Sequence, residues 1–495
     1  MEKMYNDGRK QRGAYYTPEE VVYSLVRWAV RQPTDRLLDP SSGDGRFLAR
    51  HQRSVGVEQD PNAAIVSRAR APWALIHEGE FFSWASSTKE RFECTAGNPP
   101  FIRYQRFNGE VRERALRLCT SLGASFSGLT SSWAPFLVAT ASLLKPGGRM
   151  AFVVPAEIGH APYAQPLLQY LTSNFEDVRL LAVGSKLFPE LSEDAWLLYA
   201  GGFGGQTAKI LLAAEKRFSF SPGPPTYGVH VSMSEWRRWN HRLRPFLMPD
   251  SARELYHRLV NDRTTRRLGD VAQVSIGYVT GANDFFHLRP DQARQAGIPA
   301  PFLQPTIRNG RALSGQAVTR SMLRSWLDND EPVLLLRLSP EAAIPRAVQR
   351  YLDTPAGQEA RTSYKCSNRS PWYVVPDVVI PDAFISYMSG EGPALVANRA
   401  QCTCTNSVHT VRLLGNMSLS SVQSAWEHPF TRLSCEIEGH PLGGGMLKVE
   451  PREAQRIALC NRSRWRHSEL ELIEEALFTL RQWRHHSGEK ATTRL

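Results

Sequence analysis

Residues 98–101 read Asn-Pro-Pro-Phe and directly follow an apolar run typical of a buried strand. The Asn98 side-chain oxygen and the Pro99 carbonyl are neighbouring acceptors, and the prolines restrict the backbone that carries them. Phe101 offers a face on which a flipped base could stack. Adenine N6 is a poor nucleophile because its lone pair is delocalised into the ring, and two acceptors on its hydrogens would make it more nucleophilic. The segment therefore favours methyl transfer to an amino nitrogen; a turn without a catalytic role is the alternative.

A second candidate segment is the loop that begins at Asp39 and ends at Gly45. It lacks the GxGxxG pattern and the phosphate-binding lysine of nucleotide sites. Its small residues and two carboxylates, Asp39 and Asp44, suit a cationic amino-acid moiety better than a pyrophosphate.

Two further carboxylates follow this loop. Glu58 ends the next predicted strand, 19 positions after Asp39, where a carboxylate can accept hydrogen bonds from both hydroxyls of a ribose. Glu80 could accept from an adenine amino group while Phe81 packs on the ring. A solvated strand-end charge is the alternative for Glu58, and an ordinary surface carboxylate is the alternative for Glu80.

Alternating strand and helix patterns must position these residues. The predicted elements are a helix over 17–31 with Thr17 as N-cap, a helix carrying Phe47 and Leu48, helices over 135–144 and 164–173, and strands over 37–38, 55–57, 92–96, 149–154, 179–183 and 195–199. The alternation predicts an α/β fold with an open, doubly wound, mainly parallel sheet.

Glycine-rich residues 201–205 and proline-rich residues 221–225 interrupt this alternation. We expect a catalytic domain over 1–245, a mixed α+β domain over 246–485 with an amphipathic helix near 469–483, and a disordered tail over 486–495. The candidate patches for sequence readout in the second domain are 277–283, 368–373 and 440–445, although ordinary loop chemistry explains any one of them.

Composition limits the class of protein. The chain has 495 residues, 42% of them apolar, and 60 Lys and Arg against 48 Asp and Glu give a net charge of +12, which favours a polyanionic partner. Its seven cysteines are scattered and lack CxxC spacing, so we expect a reduced compartment and no metal site. Neither a signal peptide nor a membrane-spanning run is evident, and we expect a cytoplasmic protein with no membrane partner.

Five motifs stand in an order that is specific as a set. They are Gly13–Pro18, Asp39–Gly45, Gly56–Glu58, Asn98–Phe101 and Lys145–Arg149. In this order they resemble the amino (N6-adenine) DNA methyltransferases of the gamma class, in particular the type II restriction-modification members with an NPP[YF] motif. The resemblance covers roughly the first 200 residues.

The resemblance implies a class I S-adenosylmethionine-dependent methyltransferase fold followed by a DNA target-recognition domain. It implies that S-adenosylmethionine is held by Thr17, Asp39, Pro40, Ser41, Gly43, Glu58, Glu80, Phe81 and Pro100. It also implies that the extruded adenine is held by Asn98, Pro99, Phe101 and Phe188, although a core phenylalanine is the alternative for Phe188. Two positions depart from the family pattern, because Glu80 replaces the usual aspartate and Phe101 the commoner tyrosine.

The implied substrate is adenine N6 in double-stranded DNA. We expect a monomer, with any cognate restriction endonuclease separately encoded and no stable complex between them required. Three alternatives stay open: an RNA methyltransferase, a protein-glutamine N-methyltransferase, and a non-catalytic DNA-binding protein on a methyltransferase fold.

Overall fold

The computed structural model describes residues 17–188, 194–341, 343–460, 462 and 464–485. The chain forms two compact units, residues 1–249 and 250–495, and each is described by itself. The expected tail over 486–495 and most of the 13–18 motif lie outside the described residues. Within the described part of the chain, no helix is both long and apolar enough to cross a membrane.

The first unit is built on one nine-stranded sheet. Its strands are β1 (Leu37–Asp39), β2 (Ser54–Glu58), β3 (Leu75–Glu78), β4 (Phe92–Gly97), β5 (Leu144–Pro155), β6 (Phe175–Val183), β7 (Ala195–Phe203), β8 (Lys209–Glu215) and β9 (Val229–Ser232). The strand order is β3-β2-β1-β4-β5-β7-β6-β8-β9. The five strands of the run β3-β2-β1-β4-β5 pair in parallel, and so do β6 and β8. Strand β7 is antiparallel to both of its neighbours, β5 and β6, and β9 is antiparallel to β8. The predicted doubly wound, mainly parallel α/β sheet is confirmed.

Helices cover this sheet. They are α1 (Glu19–Ala29), α2 (Pro61–Arg70), α3 (Phe81–Ser87), α4 (Gly109–Ser121), α5 (Trp133–Ala141), α6 (Ala164–Asn174) and α7 (Met233–Arg238), with 3-10 turns at Leu48–Arg50, Ala156–Gly159 and Arg244–Leu247. The helix predicted over 17–31 is confirmed as α1, and its apolar face, formed by Val21, Val22, Leu25, Val26 and Ala29, is buried in one cluster with residues of the central strands.

Two sequence-based predictions about local structure are wrong. Thr17 does not cap α1: Pro18 holds the N-cap position with ψ 141°, its carbonyl accepts the N–H groups of Val21 and Val22, and no side-chain cap forms. The helix expected to carry Phe47 and Leu48 is only the 3-10 turn Leu48–Arg50, because His51 is already extended and leads into β2.

The second unit combines short strands with short helices. Its strands are β10 (Arg266–Arg267), β11 (Ala272–Ile276), β12 (His287–Leu288), β13 (Leu303–Ile307), β14 (Ala317–Val318), β15 (Leu334–Leu336), β16 (Ala383–Ser386), β17 (Met388–Ser389), β18 (Leu395–Asn398), β19 (Thr403–Cys404), β20 (Val408–Leu413), β21 (His440–Leu442), β22 (Met446–Lys448) and β23 (Ala458–Leu459). They form sheets β11-β20-β16-β18-β14, β12-β15-β13-β19, β17-β22-β21 and β10-β23, with parallel and antiparallel pairs mixed. The predicted mixed α+β construction is confirmed.

The helices of this unit are α8 (Asp250–Val260), α9 (Leu268–Val271), α10 (Asn283–Phe286), α11 (Pro290–Gln295), α12 (Arg320–Asp328), α13 (Arg346–Leu352), α14 (Pro355–Thr362), α15 (Tyr364–Ser367), α16 (Leu419–Glu427), α17 (Pro429–Glu438), α18 (Pro451–Arg456) and α19 (His467–Gln482). Short 3-10 turns lie at Ala300–Phe302, Gly310–Ala312 and Gly443–Gly445. The amphipathic helix expected near 469–483 corresponds to α19.

Candidate active site

The candidate residues of the first unit gather where parallel strands end. Asp39 ends β1, Glu58 ends β2, and Asn98 directly follows β4. Because β2, β1 and β4 are adjacent and parallel, their carboxyl ends share one edge of the sheet, where ligands of open α/β sheets bind.

The loop after β1 is tightly folded against β2. The Ser42 N–H donates to the Val57 carbonyl over 3.0 Å. Gly43 and Gly45 have φ of +52° and +80°, and a Cβ at Gly45 would lie 2.9 Å from the Ser67 Cα. Glycine at these positions therefore follows from backbone conformation and, at Gly45, from close packing against α2.

The Glu58 carboxylate holds this loop. One oxygen accepts the N–H of Gly43 and the other accepts the N–H of Asp60, both over 2.8 Å. A carboxylate oxygen has a second lone pair, so both oxygens keep acceptor capacity for a ligand. Glu58 is thus fixed by the backbone rather than a freely solvated charge.

The two carboxylates of the loop have different surroundings. Asp44 forms ion pairs with Arg46 over 2.8 Å and with Arg70. Asp39 is buried, with 1% of its surface exposed, and no cation from the described residues pairs with it. A buried carboxylate without a cation is costly, and a cationic ligand would offset that cost.

The pKa of Asp39 is raised to about 8, mainly because the carboxyl group is buried. The hydrogen bond from the Ser41 N–H lowers this pKa, and the negative charges of Glu58 and Asp44 raise it further. The Asp39 side chain also lies against β4, because a Cβ at Gly97 would be 2.7 Å from the Asp39 Oδ1 atom. The glycine before Asn98 is therefore required by the carboxylate at the end of the neighbouring strand.

The raised pKa of Asp39 gives a pH-dependent stability. In the folded protein the Asp39 carboxyl group keeps its proton up to about pH 8, whereas in the unfolded chain it loses the proton near pH 4. The stability that the protonated Asp39 contributes to the folded state is therefore fully present below about pH 4 and is lost as the pH rises through about 8. We expect the free energy of unfolding of the wild type, relative to Asp39→Asn, to fall between these values in urea titrations without cofactor. A difference that stays constant with pH would contradict this assignment.

Residues 98–102, here called the catalytic loop after the role predicted for Asn98 and Pro99, are tied to two other segments. The Ser41 hydroxyl donates to the Asn98 carbonyl over 3.0 Å. The Ser132 hydroxyl donates to the Pro100 carbonyl over 2.5 Å and accepts the Ile102 N–H over 3.0 Å. The loop after β1 and the start of α5 thus both fix the backbone around Pro99.

The two candidate aromatics pack against one hydrophobic cluster. Phe188 is a buried member of the cluster that contains the apolar face of α1, and Phe101 is a partly buried residue packed against it. Phe101 keeps part of its surface available for a ligand, whereas Phe188 is 6% exposed. A role for Phe188 beside a flipped base stays a prediction.

Comparison with known proteins gives three matching family profiles. They are "N-6 DNA Methylase" over residues 1–68, "Eco57I restriction-modification methylase" over 60–188, and "Type II methyltransferase M.Eco57I, C-terminal domain" over 240–485. The chain belongs to the N6-adenine DNA methyltransferases of restriction-modification systems. The family resemblance noted in the sequence is thereby confirmed.

Two relatives match this methyltransferase over most of both chains. Type II methyltransferase M.AccI of Acinetobacter calcoaceticus is 18% identical, and Type II methyltransferase M.XamI of Xanthomonas campestris pv. amaranthicola is 23% identical; each match covers 90% of this chain and 85% of the relative. Among solved structures, the type IIG restriction endonuclease BpuSI aligns with a TM-score of 0.42 at 15% identity, over 96% of this chain and 62% of BpuSI.

Two residues predicted to hold the cofactor's adenine also have structural roles in the methyltransferase. Glu80 is the N-cap of α3, and its carboxylate accepts the N–H groups of Phe82 and Ser83 over 2.7 and 2.8 Å. Phe81 is buried, with its ring centroid 4.3 Å from that of Phe136. Contacts of Glu80 and Phe81 with a cofactor stay predictions.

Thr17 is buried, and so is Pro40, the first residue of the loop after β1. The Thr17 carbonyl accepts a hydrogen bond from the Arg46 guanidinium over 3.0 Å. The same arginine pairs with Asp44, so Thr17 is linked to the loop through its backbone. The structure therefore places the start of α1 at the predicted cofactor loop.

Sequence reasoning missed the contacts of Ser132. A serine just before the apolar run of α5 is a recognisable helix-start signal. Its partners lie 30 or more positions away, at Ile102 and Pro100, and no local pattern reveals them. Cys94, the thiol nearest the catalytic loop in sequence, is buried, and burial raises its pKa, as suits a protonated core thiol rather than a nucleophile.

Proposed function

We propose that this DNA methyltransferase transfers the methyl group of S-adenosylmethionine to N6 of an adenine extruded from duplex DNA. The observation that carries the proposal is the position of Asn98 and Pro99, at the end of β4 and beside the loop that contains Asp39 and Glu58. Membership of the N6-adenine family supports the choice of adenine.

The residues of the site suit this cofactor. Asp39 supplies a buried carboxylate for a cationic amino-acid moiety, and Thr17, Pro40, Ser41, Gly43 and Pro100 are the further residues that we propose contact the cofactor. Glu58 supplies acceptors for the ribose hydroxyls, and Glu80 and Phe81 lie at the end of the neighbouring β3, where the adenine of the cofactor would be held. When bound, S-adenosylmethionine supplies an electrophilic methyl group on a sulfonium.

The catalytic loop would act on the target amine. The Asn98 side-chain oxygen and the Pro99 carbonyl accept the two N6 hydrogens, which concentrates the nitrogen lone pair toward the methyl carbon. The cofactor would supply the methyl group, the carbon–sulfur bond would be the bond broken as the bond to N6 forms, and N6 would lose a proton to solvent. Phe101 and Phe188 stack against the base, which offsets part of the cost of flipping.

We propose that the second unit reads the DNA sequence. Two of its three candidate patches lie together, because the Arg369 guanidinium donates to the carbonyls of Val279 and Thr280, both over 2.6 Å. Helix α15, which directly precedes the second of these patches, presents Tyr364 with 79% of its surface exposed. The exposed aromatic face of Tyr364 and the exposed amine of Lys365 beside these loops suit contact with bases and phosphates. The third patch, residues 440–445, has a different partner: the Arg484 guanidinium donates a hydrogen bond to the Gly445 carbonyl.

The proposed function is tested by label transfer. The protein is incubated with methyl-labelled S-adenosylmethionine in three separate reactions, which contain duplex DNA, structured RNA or a glutamine-containing release-factor protein as the acceptor. We expect label in duplex DNA, with a rate that falls steeply as salt is raised. Label confined to RNA or protein would support one of the alternative methyltransferase functions, and no transfer to any acceptor would support a non-catalytic protein.

Glu58 should govern cofactor affinity. We expect Glu58→Gln to weaken S-adenosylmethionine binding by about 10- to 150-fold, since charge-assisted hydrogen bonds contribute about 1.5–3 kcal/mol. Glu78→Gln is the matched control, because Glu78 ends β3 directly opposite Glu58 but pairs with the exposed Arg68. Titration calorimetry should show the Glu78 variant within about twofold of the wild type. Equal affinities of all three proteins for S-adenosylmethionine would contradict the proposed role of Glu58 in cofactor binding.

A further inference from the structure

Ser132 precedes α5 and is 2% exposed. It makes three hydrogen bonds to the catalytic loop: its hydroxyl donates to the Pro100 carbonyl, its Oγ accepts the Ile102 N–H, and its own N–H donates to the Ile102 carbonyl over 2.9 Å. These bonds fix both the position and the direction of the loop after Pro99.

Helix capping does not account for this hydroxyl. A serine before a helix normally accepts an N–H of the first turn, which satisfies one of its free donors. Ser132 has helical backbone angles and makes no side-chain cap bond to α5. Its hydroxyl is instead bonded entirely to the catalytic loop.

The carbonyls of the catalytic loop are divided among different partners. Ser41 holds the Asn98 carbonyl and Ser132 holds the Pro100 carbonyl. No donor within the described ranges contacts the carbonyl between them, that of Pro99. Pro99 and Pro100 lack N–H groups and cannot stabilise the loop through their own amides. The serines therefore fix the flanking carbonyls and leave the Pro99 carbonyl available for a substrate donor.

We propose that Ser132 is a positioning residue for methyl transfer, which holds the catalytic loop so that the Pro99 carbonyl faces the target amine. The inference rests on the proposed function and extends it to a side chain that itself touches neither base nor cofactor. Because small misplacements of reacting groups greatly reduce rates, loss of the hydroxyl should affect catalysis more than binding.

The test compares three full-length variants with the wild type. We expect Ser132→Ala to lower kcat by about 10- to 100-fold while the KM for duplex DNA and the Kd for S-adenosylmethionine change less than about threefold. Ser132→Thr keeps the hydroxyl and should recover most of kcat. Ser142→Ala removes a hydroxyl just after the same helix, one that donates to the Ala139 carbonyl, and should leave kcat unchanged. Thermal denaturation of all four proteins separates altered catalysis from unfolding.

Several results would overturn the role of Ser132. They are a kcat for Ser132→Ala within about twofold of the wild type, a Ser132→Thr variant as slow as Ser132→Ala, or a matching loss in Ser142→Ala. If Ser132→Ala does not fold, Ser132→Cys, which keeps the side-chain volume with a weaker donor, must show the same reduction of kcat without a change in KM. An active wild type with a fully active Ser132 variant refutes this inference alone. Transfer by the wild type to RNA or protein instead of DNA refutes the proposed function, and the variants are then compared on that acceptor.

Discussion

Asn98→Ala should reduce methyl transfer to duplex DNA by at least about a hundredfold, while the affinity for S-adenosylmethionine changes little. The substitution removes an acceptor for an N6 hydrogen whose contribution is largest as positive charge develops on N6. The Asn98 carbonyl, which accepts from Ser41, is retained in the variant. Single-turnover kinetics with labelled cofactor measure the effect on the chemical step.

Two further variants define the role of this side chain. Asn98→Asp keeps an acceptor oxygen of the same reach, and we expect it to be faster than Asn98→Ala. Asn108→Ala removes an exposed amide in the same unit whose nearest partner is the Gln105 carbonyl, and we expect it to react at the wild-type rate. If Asn98→Ala keeps more than about a tenth of the wild-type rate, equivalent to less than about 1.4 kcal/mol, Asn98 does not have the proposed role.

Residues 1–249 produced alone should lose sequence-selective methylation. The proposed site in this unit holds one base, so selection of a target sequence must come from other residues. Specific DNA binding commonly exceeds non-specific binding by about a thousandfold or more, and we expect at least that loss of methylation at the preferred sites. Sequencing that detects modified bases, applied to DNA treated with equal amounts of both proteins, measures it.

Cofactor binding is the control for the shortened protein. Residues 1–249 should bind S-adenosylmethionine, and Glu58→Gln should weaken that binding by the same factor as in the full chain. Binding without selective methylation supports the division of function between the two units. Methylation by residues 1–249 at the same sites and a similar rate would contradict it.

The fold of the first unit could be predicted because its signals are local. The apolar face of α1 and the alternation from β1 to β6 follow from periodicity within short windows. The antiparallel insertion of β7 between β5 and β6 could not be predicted, since strand order depends on pairings between distant residues. The N-cap of α1 was misassigned because Thr17 and Pro18 fit two adjacent registers of a helix start.

The candidate site likewise combines features that local sequence patterns predict with contacts that they do not. That Asp39, Glu58 and Asn98 lie together at one edge of the sheet could be predicted, because strand-end motifs follow in a regular order along the chain. The capping role of Glu80 was missed because glutamate is not among the preferred N-cap residues. The contacts of Ser132 with the catalytic loop depend on where α5 packs relative to the loop after β4, which the sequence pattern does not specify.

The central claim is that the methyl group reaches adenine N6 in duplex DNA. Duplex DNA is treated with the wild-type protein and methyl-labelled S-adenosylmethionine, digested to nucleosides and analysed by mass spectrometry, with Asn98→Ala treated in parallel. We expect label in N6-methyldeoxyadenosine from the wild-type reaction and almost none from the variant. Label in a methylated cytosine instead, or equal N6 labelling by Asn98→Ala, would contradict the account.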